Sequence, residues 1–357
     1  MIDAVTDVAG DDALQALATA LTWSDRQILG YHHPAYQALM TQILGDELRC
    51  FVLQTNGVLA GVLPYRLKQT TRGTVINCLP FFGSNAMVSV ASGDGAELLS
   101  AFSERVHSDD IFTGAFYSPF GLNYTHLAAQ LRPDETLVKF TQFLSLGEQA
   151  PMWPVKRRGD LRRAVSRGYR ARKAIPADLE RIWDIYVETA ATANIPTKPR
   201  AFVEGTFEIA ERLGERSPLK WLVAEVDGEI GAALLTGQSR LTGSYILPCA
   251  DPAHRAFQPS AFLLDVAIQE AWRTGVRFWN FESSPAWDDP VFKYKERWGA
   301  TAMPFAIFVF YGLRGVRPAA DEIADIRRQA PFYFAAPVAT PTGLWPDTVE
   351  LPQDFQR

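Results

Sequence analysis

The stretch that decides the fold lies between residues 218 and 300, and it reads WLVAEVDGEIGAALL over 221–235. Two apolar runs flank Asp227-Gly228, a dipeptide that favours the positive φ angles of a two-residue hairpin turn. A third apolar run covers 243–247 and ends at Pro248. These patterns predict a hairpin followed by a further strand.

The next part reads FQPSAFLLDVAIQEAWRTGVRFWNFESSP over 257–285 and predicts a helix and then a strand. Pro259-Ser260 is a typical helix start, apolar residues then recur at helical spacing, and Gly275 suits a left-handed cap. An apolar run over 276–281 follows at once. Short connections of this kind favour parallel pairing between the strands before and after the helix.

This order of elements continues with VFKYKERWGA over 291–300. The whole resembles the second acetyltransferase-like domain of the FemAB family, whose members join GNAT-type folds in tandem. The resemblance extends from Asp178 to Ala300 and is sharpest at Phe292-Lys293 and Trp298-Gly299-Ala300. It implies an α/β (α+β) protein with two tandem GNAT-like acyltransferase domains.

The first half of the chain repeats the pattern of the second. CFVLQTNGVLAGVLPYRL over 50–67 has two apolar runs around Asn56-Gly57, as 221–238 has around Asp227-Gly228. Duplication of one fold is the simplest interpretation. The segment INCLPFFGSNAMVSV over 76–90 also resembles the first FemAB domain and contains a loop at 83–85.

A chain of 357 residues exceeds what one core usually supports, so two domains are expected. The acidic N-terminal segment predicts only a small helix near 14–21, and most of the ordered structure is expected to begin at Trp23. The aromatic and proline-rich tail is expected to pack back on the first domain. The predicted parts are a first domain (1–150), a basic connecting segment (151–174), a second domain (175–320) and the tail (321–357).

Composition is that of an ordinary globular protein, with 47% hydrophobic and 21% charged residues. Cys50, Cys78 and Cys249 lie far apart, which indicates neither a disulfide framework nor a metal site. No apolar run is long enough to span a bilayer, and the N-terminus lacks the pattern of a signal peptide. A cytoplasmic protein is therefore expected.

Charge is distributed unevenly along a chain whose net charge is −5. Residues 151–173 hold nine Lys or Arg against the single acid Asp160, a local net charge of +8. Such a run is often a solvated face. The alternative is a surface for phosphates, either of a tRNA acceptor end or of a nucleotide-linked precursor, with Arg162, Arg163 and Arg167 as contacts.

The resemblance implies a reaction centre around Phe292-Lys293. It implies that Phe292 lies near the reacting ester and that Lys293 stabilises negative charge developing there, work for which a fixed cation is suited. Tyr294, by analogy with other acetyltransferases, is a candidate proton donor to a leaving group. Without the resemblance, Lys293 is an ordinary surface lysine of an exposed helix.

Carboxylates after the predicted strand 276–281 are further candidates. Glu282, at the strand end, is a candidate base for an attacking amine. Asp288 and Asp289 are candidates for recognising a cationic acceptor. Carboxylates in such places are common, so each of these assignments rests on position alone.

GNAT-type folds place the acyl donor between two splayed strands, near the N-terminus of the helix between them. Here those strands are expected at 243–247 and 276–281. The glycine-rich turn that acetyl-CoA enzymes use for pyrophosphate is replaced by HRAFQPSA over 254–261, which argues against coenzyme A. Arg255, Gln258 and Ser260 are candidates for polar contacts instead, although an ordinary capped helix explains them equally well.

The leading hypothesis is a FemAB-like N-acyltransferase. It moves an activated acyl group, aminoacyl from aminoacyl-tRNA, onto an amine of a small or cell-envelope precursor by direct attack. It needs no cofactor or metal beyond its co-substrate. The alternatives are acyl-CoA as donor and a non-catalytic protein that binds a polysaccharide or nucleotide-linked ligand.

Overall fold

The computed structural model describes most of the chain: residues 2–23, 27–78, 88–89, 95–120, 124–193, 195–336 and 343–351. The loop expected at 83–85 lies outside the described residues.

Strands and helices alternate in the first half of the chain. Its elements are β1 (Ile2–Ala9), α1 (Gly10–Ala20), α2 (Pro34–Leu44), β2 (Glu47–Thr55), β3 (Val58–Thr70), β4 (Gly73–Asn77), β5 (Val88–Ser89), α3 (Ala96–Val106), β6 (Ile111–Tyr117), α4 (Tyr124–Leu131) and β7 (Glu135–Ser145).

The second half begins with the basic segment. Its elements are α5 (Val155–Arg167), β8 (Arg170–Lys173), α6 (Leu179–Ala193), α7 (Arg200–Leu213), β9 (Leu219–Val226), β10 (Glu229–Gln238), β11 (Thr242–Ala250), α8 (Pro259–Arg273), β12 (Phe278–Asn280), α9 (Pro290–Glu296), β13 (Thr301–Phe310) and α10 (Ala320–Gln329).

The thirteen strands of the described residues belong to one sheet, in the order β1-β2-β3-β4-β6-β13-β7-β12-β11-β10-β9-β8, with β5 paired to β3 off this path. Among these strands, pairing is parallel only between β4 and β6 and between β11 and β12. Read from either edge, the sheet shows four antiparallel strands followed by one parallel strand. The sheet is therefore nearly symmetric about its centre, as two tandem copies of one α/β fold require.

The two halves exchange strands at that centre. β13, from the end of the second half, lies between β6 and β7 of the first half, while β7 pairs with β12 of the second half. The β13–β7 pair is long, running from Thr301 opposite Phe143 to Val309 opposite Glu135. Neither half completes its own sheet.

The predicted hairpins are confirmed. Asn56 and Asp227 both have a φ of 53°, and each is followed by a glycine at positive φ, which is the type I′ geometry. β2–β3 and β9–β10 each form the second and third strands from their own edge of the sheet. The duplicated pattern in the sequence therefore corresponds to equivalent places in the fold.

Some sequence-based expectations are wrong. The chain is ordered well before Trp23, because residues 2–9 form the edge strand β1 and α1 already begins at Gly10. β11 does not end at Pro248 but continues to Ala250. The last residues of the basic segment pair with β9 as the edge strand β8.

Side chains alternate between two apolar layers in the second half. Trp221 and Val223 belong to the core that contacts α6 and α7, whereas Leu222 and Ala224 belong to the core under α8, as the two-residue period of a strand requires. The first of these cores continues across the central strands into the first half. The sheet thus buries residues on both faces.

The tail lies against the first half and the central strands. The Tyr333 hydroxyl donates to Asp46, 2.5 Å away, and Asn77 exchanges two hydrogen bonds with the backbone of Phe334. Further on, the Gly343 carbonyl accepts from the Phe140 N–H, and the Trp345 N–H donates to Val138. Among the described residues, no helix is long and apolar enough to cross a membrane.

Candidate active site

A gap opens in the sheet where β11 and β12 part. They pair only from Thr242 opposite Phe278 to Ser244 opposite Asn280, and β11 then runs on to Ala250 while β12 stops. Glu282, two residues past β12, has a φ of 61°, which is uncommon for a residue other than glycine. Here the chain turns out of the sheet.

A cavity of about 390 Å³ lies beside this gap, at the seam between the two halves. We call it the central cavity. Its walls come from β6, β7, β11, β13, the loop before α7, the turn after β12 and the tail. The lining residues are Tyr117, Lys139, Lys198, Ile246, Glu282, Ser283, Phe305, Ile307, Phe332 and Phe334.

Asn280 holds Glu282 in place. Its side-chain nitrogen donates to the Glu282 carboxylate at 2.8 Å, and its side-chain oxygen accepts from the Glu282 N–H at 2.9 Å. The Thr141 hydroxyl donates to the same oxygen at 2.8 Å. Because Thr141 and Asn280 are fully buried, this support is fixed by the core and orients the carboxylate.

The surroundings of Glu282 shift the pKa of its carboxyl group toward neutral pH. Burial raises the pKa of Glu282 to about 8, although the positive charges of Lys295 and Lys198 act in the opposite direction. A carboxyl group with a pKa this close to neutrality is suited to general acid or base work.

Two lysines lie next to Glu282. The Lys295 ammonium donates to the carbonyls of Glu282 and Ser283, both at 2.8 Å, and only 3% of Lys295 is exposed. Lys198 lines the cavity from the loop between α6 and α7. Burial lowers the pKa of Lys295 to about 8 and that of Lys198 to about 7.

The structure separates the residues of the phenylalanine-lysine motif. Phe292 is buried and packs against the rings of Phe140 and Trp287. Lys293 is exposed, whereas Lys295, two residues later on α9, is the lysine that contacts the wall of the central cavity. Residues two apart on a helix do not share a face.

Tyr294 belongs to a different cluster. Its ring lies 4.7 Å from the guanidinium of Arg157, which also sits 4.4 Å from the ring of Trp298. Arg157 is 1% exposed and bonds to Asp160 and to the Tyr294 carbonyl. Arg157 is therefore neither a solvated nor a phosphate-contacting residue, and Trp298 is part of the core.

The other acidic candidates are not among the residues that line the central cavity. Asp289 caps α9, where its carboxylate accepts from the Phe292 N–H at 2.6 Å. Asp288 is exposed and has a φ of 62°. Asp289 is therefore the cap of α9, and Asp288 lies in the turn before it.

The candidates before α8 surround the helix start. Arg255 is exposed, and its carbonyl accepts from the Gln258 side chain at 3.2 Å. Gln258 has a φ of 63° and Ser260 is partly buried in the first turn. None of the three lines the central cavity.

The three arginines singled out on α5 are all exposed. Arg167 pairs with Asp227 at 2.9 Å, and Arg163 reaches the Ala256 carbonyl at 3.4 Å. The first contact places α5 beside the β9–β10 turn, and the second places it beside the turn that precedes α8. Arg162 lies on the same helix.

Sequence reasoning selected Glu282 but missed the lysines around it. Lys139 lies on an alternating strand, Lys198 stands between prolines in a loop, and Lys295 lies in a charged helix. Each pattern is typical of a surface lysine, so no sequence signal distinguishes these three lysines.

The raised pKa of Glu282 predicts a pH-dependent stability. Between its unfolded value of 4.5 and its folded value of about 8, the unfolded state releases a proton that the folded state keeps, so this residue lowers stability as pH rises. We expect Glu282→Gln to gain stability relative to the wild type between pH 5 and 8, measured by thermal unfolding. The exposed Glu296→Gln variant is the control, and wild-type and Glu282→Gln curves that stay parallel would contradict the assignment.

Comparison with known proteins agrees with this architecture. Residues 155–294 match the family model of the acetyltransferase (GNAT) domain. FemX superposes with a TM-score of 0.65 at 11% identity, over 84% of this chain and 96% of FemX. The C-terminal domain of a putative lysylphosphatidylglycerol synthetase from Agrobacterium fabrum gives 0.56 at 10% identity, over 91% and 99%.

A tandem GNAT protein from the clavulanic acid biosynthesis pathway superposes with a TM-score of 0.50 at 10% identity, over 85% of this chain and 98% of that protein. At these identities the superpositions establish the fold, while the family model identifies the domain in the second half. The second half of the chain therefore contains a GNAT acetyltransferase domain, and the whole chain shares the tandem GNAT fold of these proteins.

Proposed function

We propose that the protein is an N-acyltransferase that joins an activated acyl group to an amine bound in the central cavity, with Glu282 as the general base. The observation that carries the proposal is the Glu282 carboxyl group, held by Asn280 where β11 and β12 part, with a pKa raised to about 8. A general base works best when its pKa lies near the working pH.

In the proposed reaction the amine nitrogen attacks the acyl carbonyl carbon and forms an amide bond. The bond from that carbon to the donor's oxygen, or sulfur in a thioester, breaks. Glu282 takes the proton that the amine nitrogen loses and returns it to the leaving atom as that atom departs, so no proton is gained or lost overall. All three cysteines are buried and free, and burial raises the pKa of each thiol, so direct attack is favoured over a cysteine acyl-enzyme.

Cations beside Glu282 serve the same step. Lys198, on the cavity wall, can stabilise the negative charge that develops on the carbonyl oxygen. Lys295 fixes the Glu282–Ser283 backbone through two hydrogen bonds and so positions the base. The family resemblance assigns the charge-stabilising role to Lys293 instead, and the geometry favours the other two lysines.

For the donor we propose aminoacyl-tRNA, with a small or cell-envelope precursor as acceptor. The exposed arginines of α5 beside the start of α8 support this donor, because phosphate contacts dominate nucleic-acid affinity. The absence of glycine over 254–261 supports it as well. The alternative donor is acyl-CoA, which is favoured by the likeness to a tandem GNAT protein whose structure is described as being without AcCoA.

Two lysines on α9 give a matched pair of variants. We expect Lys295→Met to lower kcat roughly 10²-fold, because the base is misplaced, and Lys293→Met to lower it much less, measured with amine acceptors and charged tRNA. Because the charge of Lys295 lowers the pKa of Glu282, its loss should also move the rise of kcat to higher pH. A purely structural defect would lower kcat without moving that rise.

The opposite ranking would contradict the assignment. If Lys293→Met loses turnover and Lys295→Met keeps it, the reaction centre lies where the resemblance places it rather than at Glu282. Thermal unfolding of both variants shows how much protein is folded at the assay temperature, and kcat is corrected for that fraction.

The donor is tested by ligand-induced stabilisation. A ligand that binds only the folded state raises its stability, so charged tRNA should raise the Tm while acetyl-CoA should not. Replacing Arg162, Arg163 and Arg167 by Gln should weaken tRNA binding and flatten its dependence on salt, because each lost phosphate contact removes counterion release.

The matched control replaces three exposed arginines outside the basic segment, Arg212, Arg216 and Arg328. It changes the net charge equally and should leave the salt dependence as in the wild type. Stabilisation by acetyl-CoA alone would favour the alternative donor. An unchanged salt dependence in the first triple variant would identify the exposed face of α5 as a solvated surface.

A further inference from the structure

Lys139 is a lysine in the middle of the sheet. It lies on β7 opposite Phe305 of β13, and its other neighbour is the tail, where it pairs with Leu344. Its side chain is partly buried and lines the central cavity. A lysine at this place is unusual because charged residues rarely occupy central strands.

The tail confines the Lys139 side chain. Gly343 has a φ of 67°, and a Cβ atom added there would meet Lys139 Cε at 3.4 Å and the Ser284 carbonyl at 2.9 Å. Backbone hydrogen bonds from Phe140 to Gly343 and from Trp345 to Val138 hold this part of the tail on β7. The ammonium group is therefore positioned by its surroundings.

Within the described parts of the chain, the Lys139 ammonium group has neither a hydrogen bond nor an ion pair, although its backbone is paired in the sheet. Glu282 lines the same cavity, but the lysines that act on its pKa are Lys295 and Lys198, and its carboxylate is bonded to Asn280. Burial lowers the pKa of Lys139, in keeping with an ammonium group that lacks a counter-charge. Buried charges are normally paired, so this position is unfavourable unless a ligand supplies the partner.

We propose that Lys139 binds an anionic group, a carboxylate or a phosphate, on the amine acceptor. The proposal rests on the proposed function in one respect, that the acceptor enters the central cavity. The remaining walls are mostly apolar, with Tyr117, Phe305, Phe332 and Phe334 contributing rings. The acceptor is then an amine whose carboxylate or phosphate group lies at Lys139 and whose apolar part packs against these rings.

The test uses simple anions that carry a ring, so that it needs no knowledge of the acceptor. Phenylacetate and phenyl phosphate are titrated against the full chain by thermal shift and by NMR, with the neutral phenylacetamide as reference. We expect the anions to bind more tightly than phenylacetamide, and the ranking of the two anions to separate a carboxylate from a phosphate. Lys139→Gln should weaken anion binding roughly ten- to a hundredfold, and Lys139→Arg should retain most of it.

Stability without ligand is the second readout. If the role of Lys139 is to bind a ligand, its charge has no partner in the free protein. The Tm of Lys139→Gln should then be equal to or above that of the wild type. A lysine with a structural role would give a lower Tm. Lys156→Gln, which removes an exposed lysine of α5, controls for the change in net charge and should bind the anions normally.

Three results would overturn the inference: no binding of either anion, binding of neither anion more tightly than phenylacetamide, or unchanged anion binding by Lys139→Gln. None of them depends on acyl transfer. Anion binding at Lys139 together with full turnover in Glu282→Gln would instead refute the proposed function and leave this site standing.

Discussion

The structure depends on the exchange of β7 and β13 between the two halves. Each of these strands pairs with strands of the other half: β13 pairs with β6 and β7, and β7 pairs with β12. The β13–β7 pairing is the longest at the centre of the fold. Phe305, Phe308 and Phe310 of β13 are almost fully buried, so separating the halves would expose a large apolar area. We therefore expect the two halves to fold as one cooperative unit.

The same exchange creates the site. The central cavity takes Lys139 from β7, Phe305 and Ile307 from β13, and Glu282 from the turn after β12, so no half contains it alone. The short β12 has two consequences. It leaves room for Glu282 to turn into the cavity, and it leaves part of β7 open for Gly343–Trp345 of the tail. Strain at Glu282 and poorly compensated charge at Lys139 are both features that core packing can support at a functional site.

Local chemistry made much of the fold predictable. Asn56-Gly57 and Asp227-Gly228 predicted both hairpins because few other dipeptides accept two successive positive φ angles. Pro259 predicted the start of α8. The strand exchange was not predictable, because an apolar run such as 305–310 shows that a strand is buried but not which strands lie beside it. The edge strand β1 was missed because its short acidic sequence gives a weak pattern.

The site was predictable only in part, for a related reason. Glu282 could be selected because it follows a strand, but its support from Asn280 and Thr141 joins residues that are distant in the sequence. In FKYK over 292–295, the motif drew attention to Lys293, yet the buried lysine is Lys295. Sequence spacing places the two on different sides of a helix but does not show which side meets the cavity.

The central claim is that Glu282 exchanges its proton near neutral pH. It is tested most directly by a pH titration of carbon-13-labelled glutamate side chains, followed by NMR, with the Glu282 signal assigned by its loss in Glu282→Gln. Our account predicts a midpoint near pH 8 rather than near the ordinary value of 4.5. A midpoint close to 4.5 would show that the carboxylate is solvated and would contradict its role as the general base.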